Sequence, residues 1–151
     1  MTGKAEFNAE EWDAVVGAPL LGAMMVIAAD KGGRLRETLA VARDYAAARE
    51  SHDGALMSAI LASAPGAGGS QRETNSEDLA RAAPAALREA ITILERAATP
   101  EEVAEYKRFA YSLAQSAARA HREGGLLRRA ASEISEAEQA ALDAIAAVFD
   151  E

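Results

Sequence analysis

Alanine sets the terms on which this chain can fold. Of 151 residues, 39 are alanine, while Leu, Ile, Val and Phe together number 28. The hydrophobic half of the chain therefore carries little bulk. Combined with a formal charge of −8, this is a composition in which disorder is the first alternative to a fold. Each alanine buried in place of a leucine forgoes roughly 2.4 kcal/mol, three carbons at about 0.8 each. Alanine is also the best helix former, and it lets helix axes approach to the short end of the ~8–10 Å range. The fold open to such a chain is a set of closely spaced helices of modest stability.

Helix start signals argue against disorder. Asn8 and Glu11 have capping-box spacing, and Phe7 and Trp12 flank them as a hydrophobic staple. This first helix is expected to stop at Gly17, with Pro19 opening a second. Leu20 to Asp30 is apolar on nearly all sides, so other helices must surround it. Gly32-Gly33 breaks it. A third helix follows from Leu35 to Glu50, with Leu35, Leu39, Ala42 and Ala46 on its expected buried face and Val41 and Tyr45 beside them. Asp53-Gly54 turns the chain into a short apolar helix from Ala55 to Ser63.

Residues 64–76 are rich in Pro, Gly and small polar side chains and read as a flexible loop. Thr74 and Glu77 make another capping box. Pro84 is too deep for an unbroken helix from that cap, so a restart is expected there. Leu87, Ile91 and Leu94, with Ala90 and Ala98, mark the buried face that follows. Thr99-Pro100-Glu101-Glu102 starts a further helix with cap, proline and acids in order. Val103, Tyr106, Ala110, Leu113, Ala117 and Ala120 form its heptad seam as far as Glu123. Gly124-Gly125 ends it. The last helix starts at Ser135, boxed with Glu138, and buries Leu142, Ile145 and Phe149. No segment alternates with period two for long enough to form a strand. The expected fold is all-α: one domain over 1–151, a compact bundle of about six to eight helices around an apolar helix near residues 20–29.

Charge and residue content narrow the function classes. There is no cysteine, which removes disulfides, thiolate metal sites and cysteine nucleophiles. The acidic balance opposes binding to nucleic acid or anionic lipid. The apolar run from Pro19 to Ala29 is short of the ~20 residues that span a bilayer. Glu6, Glu10, Glu11 and Asp13 stand before it, where a signal peptide needs positive charge. A cytoplasmic protein that does not cross a membrane is expected.

Catalytic patterns are missing. Gly66 to Ser70 is followed by Gln71-Arg72 rather than the Gly-Lys-Ser/Thr ending of a phosphate loop. Neither His52 nor His121 has a glutamate three residues before it, as di-iron bundles require. No serine sits in a Gly-x-Ser-x-Gly elbow. Arg128-Arg129 is a small basic patch, opposed by six acids and no base within 133–151. No catalytic residue and no cofactor are assigned on this basis.

Two segments carry a family resemblance. Ala28-Ala29-Asp30-Lys31-Gly32-Gly33-Arg34-Leu35-Arg36-Glu37 and Ala130-Ala131-Ser132-Glu133-Ile134-Ser135-Glu136-Ala137-Glu138 each pair a turn with an acid opening a helix. They resemble the repeated turn of the TerB-like family, small all-helical bacterial proteins associated with tellurite resistance and stress complexes near the membrane. The second segment has Ala131 and Ser132 where that pattern has aspartate and glycine. The resemblance implies divalent-cation binding, with Asp30 and Glu37 as oxygen ligands. The residues themselves point to a non-catalytic helical module that binds a protein partner, in a bacterial stress response or elsewhere. An enzyme using carboxylates in an interhelical cleft is a third reading, with no residue pair to carry it.

Overall fold

The computed structural model describes residues 3–29, 34–51, 54–63, 76–123 and 136–150, with side chains at all of these except 34–37, 76 and 121–123. Among the described residues the architecture is all-α, with no strand. A 3-10 turn at Lys4–Glu6 precedes six α-helices: α1 (Ala9–Ala29), α2 (Arg34–Ser51), α3 (Ala55–Ser63), α4 (Ser76–Ala97), α5 (Pro100–Glu123) and α6 (Glu136–Phe149). α1 runs through the middle, packed mainly on α4 and α5 and then on α6. α2 leans chiefly on α5, and α3 bridges α1, α2 and α5.

The start of α1 follows its sequence. The Asn8 side chain accepts the Glu11 N–H at 2.8 Å, and the Glu11 carboxylate accepts the Asn8 N–H at 3.1 Å. The Phe7 and Trp12 rings lie 5.6 Å apart, closing the staple. The second intact box is Thr99–Glu102, at 2.9 and 3.2 Å, opening α5. The expected Thr74 and Ser135 caps lie outside the described residues, as do Arg128-Arg129 and residues 64–75 of the expected 64–76 loop, whose last residue, Ser76, instead opens α4.

Both proline restarts are corrected. Gly17 does not end a helix; α1 continues through Pro19 for 21 residues. A proline inside a helix removes the N–H that would serve the carbonyl four residues earlier. For Pro19 that carbonyl belongs to Val15, which is buried. The Tyr106 hydroxyl, reaching in from α5, donates to it at 2.7 Å. A tertiary hydrogen bond thus takes over from the missing helical one, and the helix does not have to break there. Pro84 likewise lies inside α4. Its orphaned carbonyl is on Ala80, which is exposed, so water can serve it.

Continuity through Pro19 makes α1 longer than the Pro19–Ala29 apolar stretch it contains and brings it to the length that crosses a membrane, a length that the buried core helix of a globular protein also reaches. α1 is long and apolar enough to cross one, with an 18-residue window of mean hydropathy 1.7. Half of that window is buried against the rest of the bundle.

The core joins Val15, Met25, Leu56, Ile60, Leu87, Leu94, Tyr106, Leu113, Leu142 and Ile145 in one cluster. Alanines 83, 90, 110, 114, 117 and 118 fill the seams between them. At Gly22 the close approach is direct. A Cβ there would lie 3.4 Å from Leu87 Cδ1 and 3.6 Å from Ile145 Cδ1, so α1, α4 and α6 meet at this point. The heptad seam of α5 is buried from Val103 to Ala117, with Ala120 half-buried.

Two helix ends are closed by cations from neighbouring helices. Arg49 of α2 donates to the Leu61 carbonyl near the end of α3 at 3.1 Å. Lys107 of α5 donates to the Phe149 carbonyl at the end of α6 at 3.3 Å. Each places positive charge on the negative end of a helix dipole.

Candidate functional site

α2 departs most from its sequence reading, and it carries the candidate site. The spacing predicts a buried face of Leu35, Leu39, Ala42 and Ala46, with Val41 and Tyr45 beside it. Among the described side chains of α2 the buried ones are Val41, Tyr45 and Ala48, so the buried face is centred on the Tyr45 side. Tyr45 sets its ring edge-on against Phe109 of α5, with centroids 5.5 Å apart at 78°. An aromatic side chain buries about 150–250 Å², so the Tyr45 stripe outcompetes the leucine stripe for the position facing α5. Of the other stripe, Leu39 and Ala46 face outward. Leu39 is 48% exposed, and among the described residues it is the one exposed large apolar side chain. Ala46 is exposed and Ala42 half-buried beside it.

Arg43 and Glu50 border this stripe. Helical steps of about 100° place both on the same edge of α2, seven residues apart. Both are exposed, and neither makes an ion pair or side-chain hydrogen bond among the described residues. Arg49, on the opposite edge, is committed to the Leu61 carbonyl.

Beyond the Arg43–Glu50 edge α2 forms a groove with α5 of about 470 Å³. Asp44, Ser51, Glu105, Arg108, Ser112 and Ser116 give it a polar lining. The Arg108 cation among these carboxylates opposes a metal ion, and the hydroxyls suit a polar chain. Among the described residues no three His, Cys, Asp or Glu side chains gather in a metal-binding group. Asp30 lies outside the described residues. Glu37 is in the first turn of α2, and its side chain is likewise outside them. Glu138 is buried on α6. The side chains of His52 and His121 are outside the described set.

Tyr45, Tyr106 and Glu11 have displaced pKa values. Burial pushes the Tyr45 phenol up, opposed by the nearby Arg49 charge. Burial also pushes up Tyr106, with Tyr45 adding to it. Both hydroxyls stay protonated at neutral pH. Tyr106 uses its proton on Val15, whereas the buried Tyr45 hydroxyl has no hydrogen-bond partner among the described residues. Glu11 is held below the ordinary carboxylate range, first by the Arg96 hydrogen bond and then by the Asn8 N–H. The Arg96–Glu11 pair, at 2.6 Å, ties the end of α4 to the start of α1.

The outward face of α2 could not be found from spacing alone. Both stripes have helical periodicity, and the choice between them depends on Phe109, which is remote in sequence. No known protein family, curated protein or solved structure matches this chain.

Proposed function

We propose that this protein is a non-catalytic helical interaction module that engages a protein partner through the outward face of α2. The observation that carries this reading is Leu39, large, apolar and half-exposed on a stripe of small residues. A single exposed leucine on a protein surface is ordinary. This one differs in its surroundings. Ala42 and Ala46 continue its stripe at steps of three and four residues, and exposed Arg43 and Glu50 border it. That is the pattern by which one amphipathic helix presents anchors to another surface. The alanines let a partner backbone come close, and the two side charges supply register.

Site-specific photo-crosslinking in the native cell tests this. A photoreactive residue at position 39 is expected to capture protein, while one at the exposed position Glu89 on α4 is not. If position 39 captures no protein, or no more than position 89 does, the reading is refuted.

A further inference from the structure

We propose that the partner on this face is a second copy of the same chain, its α2 packed antiparallel to the first about a twofold axis near Ala46-Ala47. This self-pairing rests on the α2 face being an interaction surface. It adds a commitment to what covers that face, and the commitment comes from charge placement.

Arg43 and Glu50 lie on one edge of α2, seven residues apart, and neither is used inside the molecule among the described residues. In an antiparallel pair, like edges of the two helices face each other. The midpoint of residues 43 and 50 falls between Ala46 and Ala47. A twofold axis there sets Arg43 of each copy opposite Glu50 of the other, twice over. This is the self-complementarity that an isologous interface needs. A parallel pair would turn the same charges toward the other edge, leaving Arg43 without an opposite charge and setting Glu50 against Arg49, whose guanidinium already serves the Leu61 carbonyl.

The apolar residues fit the same axis. Ala46 at the crossing allows the helices to close to about 8 Å. Leu39 lies about 11 Å from the axis along the helix, so two leucines flank a narrow alanine waist. Electrostatics decides between this contact and general association. Chains of charge −8 repel one another, but Arg43 and Glu50 cancel, so the paired edges bury no net charge. A single helix pair lies at or below the small end of stable interfaces, about 1,200 Å² in all. The dimer is therefore concentration-dependent.

Sedimentation velocity of the full chain over a wide concentration range reads this out. The wild type is expected to move from monomer to dimer. Leu39→Glu, at an exposed position, should weaken the dimer by more than about tenfold. Arg43→Glu and Glu50→Arg should each weaken it, and the double exchange R43E/E50R should restore it. Circular dichroism on each variant confirms that the helices are intact. A wild type that stays monomeric throughout overturns self-pairing, as does a dimer unaffected by Leu39→Glu or one the double exchange fails to restore. If a monomeric wild type still crosslinks to another protein from position 39, self-pairing fails and the interaction reading stands. If position 39 captures nothing, both fail.

Discussion

Removing one oxygen atom tests the account of α1. Tyr106→Phe deletes the hydroxyl that donates to the Val15 carbonyl at 2.7 Å, and the ring that fills the core stays in place. Val15 and Tyr106 are both fully buried. The orphaned carbonyl then has neither the Pro19 N–H, which does not exist, nor water. Leaving a buried acceptor unsatisfied costs about 1–3 kcal/mol. At this chain length a loss of about 2 kcal/mol lowers Tm by roughly 4–8 °C. Other changes in a core could produce a loss of that size, so the decisive measurement is a double-mutant cycle. In a Pro19→Ala background the residue at 19 regains an N–H and can make the ordinary helical bond to Val15. Tyr106→Phe should then cost less than about 1 kcal/mol, because the carbonyl keeps a donor. Urea denaturation of the four proteins, followed by circular dichroism, gives the coupling directly. An equal cost of Tyr106→Phe in both backgrounds would refute the claim that the tyrosine serves the carbonyl orphaned by proline.

The other expected outcomes are simpler. Tyr45→Phe removes a buried hydroxyl without a partner among the described residues and keeps the ring against Phe109, so it should stabilise by about 1 kcal/mol in the same assay; a clear loss would contradict this. Gly17→Ala should raise Tm by about 2–4 °C, because a Cβ at this helix-interior position meets nothing within 4 Å and alanine is favoured by about 1 kcal/mol. Gly22→Ala should gain less, since its Cβ enters contact with Leu87 and Ile145. At the acid end, Glu11 has a lower pKa folded than unfolded, so its contribution is present above its ordinary value of 4.5 and is lost as pH falls through the folded value. Glu11→Gln should accordingly flatten the acid limb of a stability–pH curve, and an unchanged limb would show that the Arg96 and Asn8 contacts do not matter.

How much was legible depended on how far each determinant reaches along the chain. The Asn8–Glu11 and Thr99–Glu102 boxes, the bounds of α3 and the seam of α5 all follow from interactions within a few residues. Those are properties of the local sequence, and they form as read. Of the candidate site, α2 is recognisable as a helix from its sequence, but the exposure of Leu39 is not. The candidate metal ligands came from family resemblance, and their side chains lie outside the described residues.

By itself, then, the sequence determined that the chain is helical, where most of its helices begin, and that alanine would let them pack closely. The tertiary structure decided whether prolines interrupt those helices and which face each one buries. At Pro19 the deciding group is the Tyr106 hydroxyl, 91 residues from the carbonyl it serves. On α2 it is Phe109, which draws Tyr45 inward and turns Leu39 out to solvent. In both places the local pattern allows two outcomes, and a contact from a distant segment selects one.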